Sequence, residues 1–229
     1  MLAFAKRQPM LYRASLKLRG VDLSYFVSRD TELLIAGYGG SANTYATYAI
    51  LENCPNINLA HHLHVAAQVV KAAQLQTPCL VLARHPVDAI SSLTTRNALE
   101  FSIEGLGWAL LDYQNYYDSI VGCRDSFVSC GFRDVIEDYS AVIQKVNERF
   151  GTNLSVPVNG SDASKKIIAT HKTPGTRRAC VLEDVQAMLM NPALEQARKR
   201  AEQSYEVFCA ATGTRIWKDP DRRPIARRE

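Results

Sequence analysis

Residues 31–53 read TELLIAGYGGSANTYATYAILEN, and this stretch decides the fold. TELLIAG (31–37) is a short apolar run closed by glycine, the length and flank of a buried strand. A turn of small residues follows, and from Ala42 onward Ala46, Ala49 and Ile50 recur at helical spacing. Strand, glycine loop and helix in that order leave main-chain N–H groups at the positive end of a helix dipole, a geometry that holds phosphate. On its own, such a glycine cluster also reads as an ordinary strand-to-helix turn.

Working outward, INLA (57–60) reads as a second strand and HHLHVAAQVVKAAQL (61–75) as a helix. PCLVLA (78–83) is nearly all apolar, which predicts a strand covered on both faces. Pro86 suits the first turn of the next helix, where its missing N–H costs nothing. A helix is predicted over 103–122, a strand at SFVSC (126–130) and a helix over 138–151 that stops at Gly151. Two more helices are predicted over 183–190 and 192–211. LYRASLKLRG (11–20) reads as a strand ended by Gly20, residues 152–178 as turn-rich, and 219–229 as a mobile polar tail. Strands alternating with helices predict an α/β fold, a central parallel sheet flanked by helices, formed by residues 1–229 as a single domain.

Of 229 residues, 47% are hydrophobic and 22% charged, which excludes a disordered chain, a coiled coil and a collagen-like repeat. The net charge of +4 is too small for a bulk polyanion binder, so no nucleic-acid partner is expected, but it suits a small anionic ligand. Six scattered cysteines form no CxxC pair, so no metal site is expected and a reducing, cytoplasmic compartment is. No apolar run approaches the ~20 residues that cross a bilayer, so no stable membrane insertion is expected. Oligomeric state is left open.

The Walker pattern requires Gly-Lys-Ser/Thr, and the loop has no such lysine. Gly37-x-Gly39-x-x-Ala42 fits the loose dinucleotide form, but Ala60, His61 and His62 stand where the ribose carboxylate belongs. Arg84 emerges from a buried strand at its carboxyl end, and Ser92 lies two helical turns on. A guanidinium and a hydroxyl converging there grip a phosphate; a solvated arginine and a solvent-facing serine are the plainer alternative. His61, His62 and His64 cluster at a strand-to-helix junction, where a histidine serves as a base near neutral pH or simply bonds the helix start. H-x-H at 62 and 64 lacks the i, i+4 face of helical zinc sites. Residues 163–182 carry Lys165, Lys166, Lys172, Arg177 and Arg178 and no acid, fitting either a lid or a solvated loop. Trp108, Tyr113, Tyr116 and Tyr117 at helical spacing read as core.

LVLARHPVDAISSL (80–93) resembles the 3′-phosphate segment of PAPS-dependent sulfotransferases, which runs strand, Arg-x-Pro, short helix, Ser. Gly40-Ser41-Ala42-Asn43-Thr44-Tyr45 occupies the place of that family's Lys-Ser-Gly-Thr-Thr-Trp loop. His62-Leu63 stands where the cytosolic branch has its catalytic histidine, and Phe132 where an aromatic contacts adenine. The resemblance covers residues 31–151 and implies a divergent member with the P-loop NTPase-like sulfotransferase fold. It implies PAPS as cofactor, PAP as product, and a hydroxyl or amine acceptor. Gly39 through Tyr45 would hold the 5′ end, Arg84 and Ser92 the 3′-phosphate, and His62 would act as base. Gly40 departs from the family lysine; Lys71, Arg96, Lys172 and Arg177 are candidate substitutes, and HKTPGTRR (171–178) is the nearest counterpart of the C-terminal Arg-Lys-Gly signature. A PAP-binding module without turnover, or a nucleotide-dependent kinase, are the alternatives.

Overall fold

The computed structural model describes residues 6–96, 101–158, 165–166, 169 and 175–217, with backbone alone at 175–180. Four strands form one parallel sheet: β1 (Leu33–Gly37), β2 (Leu59–Ala60), β3 (Cys79–Ala83) and β4 (Val128–Gly131). Their order is β2-β1-β3-β4, with Leu34 opposite Cys79, Gly37 opposite Leu82 and Ala83 opposite Gly131. Every residue of β1 and β3 is buried. The reason is that both faces are covered. Leu34, Ala36, Val81 and Ala83 join one core cluster, while Leu33, Ile35, Leu80 and Leu82 join the other. Period-2 alternation between two covered faces is what a continuous apolar strand requires.

The helices are α1 (Pro9–Leu18), α2 (Asn43–Asn53), α3 (Ala66–Leu75), α4 (Pro86–Arg96) and α5 (Ile103–Ile120), then α6 (Phe132–Phe150), α7 (Gly175–Leu189) and α8 (Glu195–Thr212). Helices α2 and α6 cover one face through Ala46, Ile50, Val135 and Ile143. On the other face α3, α4 and α5 lay down Val69, Ile90, Leu110 and Tyr117, backed by Phe208 of α8. The fold is therefore α/β, a central parallel sheet flanked by helices, as the sequence predicts.

Five expectations are corrected. The helix expected over 183–190 begins at Gly175, inside the stretch read as turn-rich. Residues 11–20 lie in helix α1, not a strand. Pro9 occupies its first turn, Leu, Arg, Ala and Lys are strong helix formers, and only Pro9 and Leu16 are buried. Gly20, at φ +64, ends it in a Schellman motif, with Gly20 N–H bonded to Lys17 O and Val21 N–H to Leu16 O. The helix expected from 61 begins only at Ala66, because His62 and His64 have left-handed φ values of 63° and 47°. The helix expected over 138–151 starts earlier, at Phe132, and kinks at Asp138. Trp108 is 63% exposed, unlike Tyr113, Tyr116 and Tyr117, because it falls on the solvent flank of α5. The tail at 219–229, Lys172 and the rest of 171–174 lie outside the described residues.

Candidate functional site

Each strand delivers its next segment to the same carboxyl edge. Across the sheet the order is His61–His64 after β2, the glycine loop after β1, Arg84–His85 after β3 and Phe132 after β4. From β1 the chain runs to β2 on one side and later to β3 on the other. That makes the gap between β1 and β3 the switch point, where open α/β sheets form a ligand crevice.

The glycine loop is pressed against α4. A Cβ on Gly40, whose φ is +86, would lie 2.2 Å from the Ala89 carbonyl oxygen. One on Gly39 would meet the Leu93 methyls at 2.9 Å. A side chain at position 40 would require the loop or α4 to shift. Ala42 is left-handed at φ 71 and supplies α2 with no side-chain cap, and the first turn of α2 carries no acid. The main-chain N–H groups of Asn43, Thr44 and Tyr45 therefore have no intrahelical acceptors and no acid in their own turn. This donor set suits an anion.

Arg84 is tied to both neighbouring strand ends. Its Nη1 donates to Gly40 O at 2.8 Å, and its guanidinium sits 3.9 Å from the Phe132 ring centroid. Its own carbonyl accepts from the Tyr113 hydroxyl at 2.5 Å, and Leu82 O accepts from Tyr117 at 2.9 Å. Tyr113 and Tyr117 are one turn apart on α5, so the aromatic stripe clamps the end of β3. Burial pushes both phenols up, which keeps them protonated donors. Tyr38 packs edge-on against Tyr113 at 5.0 Å and donates to Ala109 O, fixing the loop from the same side.

Ser92 is half-buried, one turn beyond Ala89 on the α4 flank that faces the loop. One turn further, Arg96 Nη1 donates to Thr44 Oγ1 at 3.0 Å. Of the two candidate cations whose side chains are described, Lys71 and Arg96, it is Arg96 that reaches the loop. Lys71 instead lines a cleft with Arg13 and Lys17 of α1. The side chain of Arg177 is outside the described residues, as is Lys172.

The histidine segment abuts the loop. His64 Nδ1 bonds Gly37 O at 2.9 Å; a carbonyl only accepts, so Nδ1 carries the proton and Nε2 the lone pair. Burial, with His62 and Arg96 nearby, pushes His64 down to about 4 despite that bond. His61 is likewise pushed down to about 4, by burial first and then by His62 and His64. The Nδ1 atoms of His61 and His62 are hydrogen-bonded to each other, and the His62 and His64 ring centroids lie 6.1 Å apart. Three non-glycine residues around this edge, Ala42, His62 and His64, hold left-handed backbones. Such conformations cost of order 1–3 kcal/mol each and gather at functional sites.

Beyond Arg84 the edge opens into a cleft of about 270 Å³ lined by Arg84, Phe132, Arg133, Gln186, Tyr205 and Trp217. Trp217 lies 3.9 Å from the Arg215 guanidinium and 5.5 Å from that of Arg133, and its Nε1 donates to Asp134 Oδ1 at 3.4 Å. Phe132 thus stands in the cleft with one face covered by Arg84. Sequence reasoning missed Trp217 and Tyr205, which reach this edge only through the final helix. Among the described residues no group of three metal-ligating side chains occurs, and no helix is long and apolar enough to cross a membrane.

No family model matches the chain, and no curated protein matches it. Among solved structures it is similar to mouse sulfotransferase SULT7A1 complexed with PAP, at 12% identity and a TM-score of 0.41. The match spans 82% of this chain and 87% of that one.

Proposed function

We propose that the chain transfers a sulfuryl group from PAPS to a hydroxyl or amine acceptor and releases PAP. The observation that carries this reading is the sequence of chemistries along the carboxyl edge: histidines, then free helix-start amides, then Arg84, then an aromatic cleft. It parallels a nucleotide laid across the sheet with its base by Phe132 and Trp217 and its 5′ end at the loop. When bound, PAPS supplies an activated sulfuryl group on a phosphate leaving group.

The chain's own residues do the rest. The N–H groups of Ser41 to Tyr45 orient the 5′ end, and Arg96, held by Thr44, adds the cation that Gly40 cannot. Arg84 and Ser92 fix the 3′-phosphate. His62 accepts the acceptor's proton as the acceptor oxygen or nitrogen bonds to sulfur and the sulfur–oxygen bond to phosphate breaks. His64, anchored on Gly37 O, positions that segment. Catalysis of this kind is mostly orientation and charge stabilisation.

A second reading, a PAP-binding module without turnover, is favoured by the Ala89 carbonyl that crowds position 40. A labelled-sulfate transfer assay across phenol, alcohol and amine acceptors separates the two. Transfer that falls by about 10²-fold or more in His62→Ala supports the enzyme, the size expected of a general base. PAP binding with no transfer to any acceptor supports the module.

A further inference from the structure

A second cleft, of about 570 Å³, lies between α1, the 3-10 turn at Leu23–Tyr25 and the end of α3. Ser28 and Arg29 lead into β1, and Lys71 and Leu75 lead into β3, so this cleft sits toward the amino edge of the sheet, away from the glycine loop. Its floor includes Phe26, Val27 and Leu75, and its cations are Arg13, Lys17, Arg29 and Lys71, with no acid among the lining residues. Asp22 is close in sequence but turned to its own cap, accepting from Ser24 N–H at 2.9 Å.

The helix beside it is built the same way. Residues 6–21 contain Lys6, Arg7, Arg13, Lys17 and Arg19 and no acid. At 100° per residue, Leu16 and Tyr12 of α1 turn inward, while Met10, Leu11, Ala14 and Leu18 share the outward side. Met10 is 86%, Leu11 51% and Leu18 90% exposed. Arg13 and Lys17 flank this apolar face on one side and Arg19 on the other. A soluble surface gains nothing from three large apolar side chains on one exposed stripe. An apolar face with basic flanks is the pattern of a helix that lies in the headgroup region of a bilayer.

We propose that α1 and its cleft form a reversible docking surface for an anionic lipid bilayer. Met10, Leu11 and Leu18 enter the interface, and Arg13, Lys17, Arg29 and Lys71 meet the headgroups. Charge complementarity selects a bilayer over an apolar protein partner, because cations on α1, on the segment before β1 and on α3 surround the apolar residues.

The test is co-sedimentation of the full chain with phosphatidylcholine vesicles and with 70:30 phosphatidylcholine:phosphatidylserine vesicles. Binding is expected to the second only, and to fall about tenfold or more in 0.5 M salt, as screening of surface charge requires. Each basic residue at an anionic surface is worth roughly fivefold, so Arg13→Glu/Lys17→Glu is expected to cut binding by well over tenfold. Met10→Ser/Leu18→Ser, which leaves the charge intact, is expected to cut it by about tenfold. These residues are exposed, so both variants are expected to melt as wild type does. Equal binding to the two vesicle types, no binding, or full binding by Met10→Ser/Leu18→Ser would overturn the proposal. Capture by dextran sulfate without vesicle binding would assign the patch to soluble polyanions and overturn it as well.

Discussion

Arg84 Nη1 bonds Gly40 O at 2.8 Å while the same guanidinium lies 3.9 Å from the Phe132 ring centroid. One side chain after β3 thus spans the loop after β1 and the residue after β4. The reach is possible because β3 lies between those two strands, so the carboxyl edge is knit together before any ligand arrives.

The loop's closeness to α4 makes Gly40 the least replaceable position at the edge. Gly40→Ala combines a left-handed φ with a 2.2 Å approach to Ala89 O. The expected loss is roughly 3 kcal/mol, a fall in melting temperature of about 6–12 °C for a chain of this size. Gly40→Lys is expected to melt lower still and to gain no sulfate transfer. A Gly40→Lys protein with wild-type melting would show that the loop can move off α4.

Tyr113→Phe removes only the hydroxyl that bonds Arg84 O. It is expected to cost about 1 kcal/mol, or a few degrees in a thermal melt. PAP affinity is expected to fall with it, because the end of β3 then holds Arg84 less firmly. Trp108→Ser on the exposed flank of the same helix is expected to leave stability within about 0.5 kcal/mol. Equal melting of Tyr113→Phe and wild type would remove the clamp from the account.

The histidines make acid destabilising well before the carboxylates titrate. In the folded chain His61 and His64 are held down to about 4, against an ordinary value of 6.5. Between those values the unfolded chain binds more protons, so stability is full above about pH 6.5 and is lost as pH falls toward 4. Urea unfolding at pH 7.5 and 4.5 reads the difference, and His64→Asn is expected to shrink it. An unchanged pH dependence in His64→Asn would mean that the buried imidazole is not neutral.

The strands and their order of appearance were legible because β1 and β3 are apolar throughout, and Arg84 was legible because it directly follows such a run. Arg96 was not, since its reach to Thr44 depends on how α4 crosses the loop, which no spacing in one chain reveals. The histidine segment misled for a local reason: Leu63, Ala66, Val70 and Ala73 keep helical spacing, yet His62 and His64 adopt left-handed backbones and the helix waits for Ala66. Residues 11–20 misled because the same mixture of Leu, Lys and Arg suits either element, and the deciding residue, Pro9, lies just outside the stretch.

The central claim is that one nucleotide is held by two separate anion sites, the loop with Arg96 and the pair Arg84 with Ser92. Calorimetric titration of PAP and of 5′-AMP, which lacks the 3′-phosphate, tests it most directly. Wild type is expected to prefer PAP by about tenfold or more, the worth of a charge-assisted hydrogen bond. Arg84→Ala is expected to erase that preference, while Arg96→Ala weakens both ligands alike, each variant checked by its melting curve. Equal affinity of folded wild type for the two ligands, or a folded Arg84→Ala that still prefers PAP, would contradict the account.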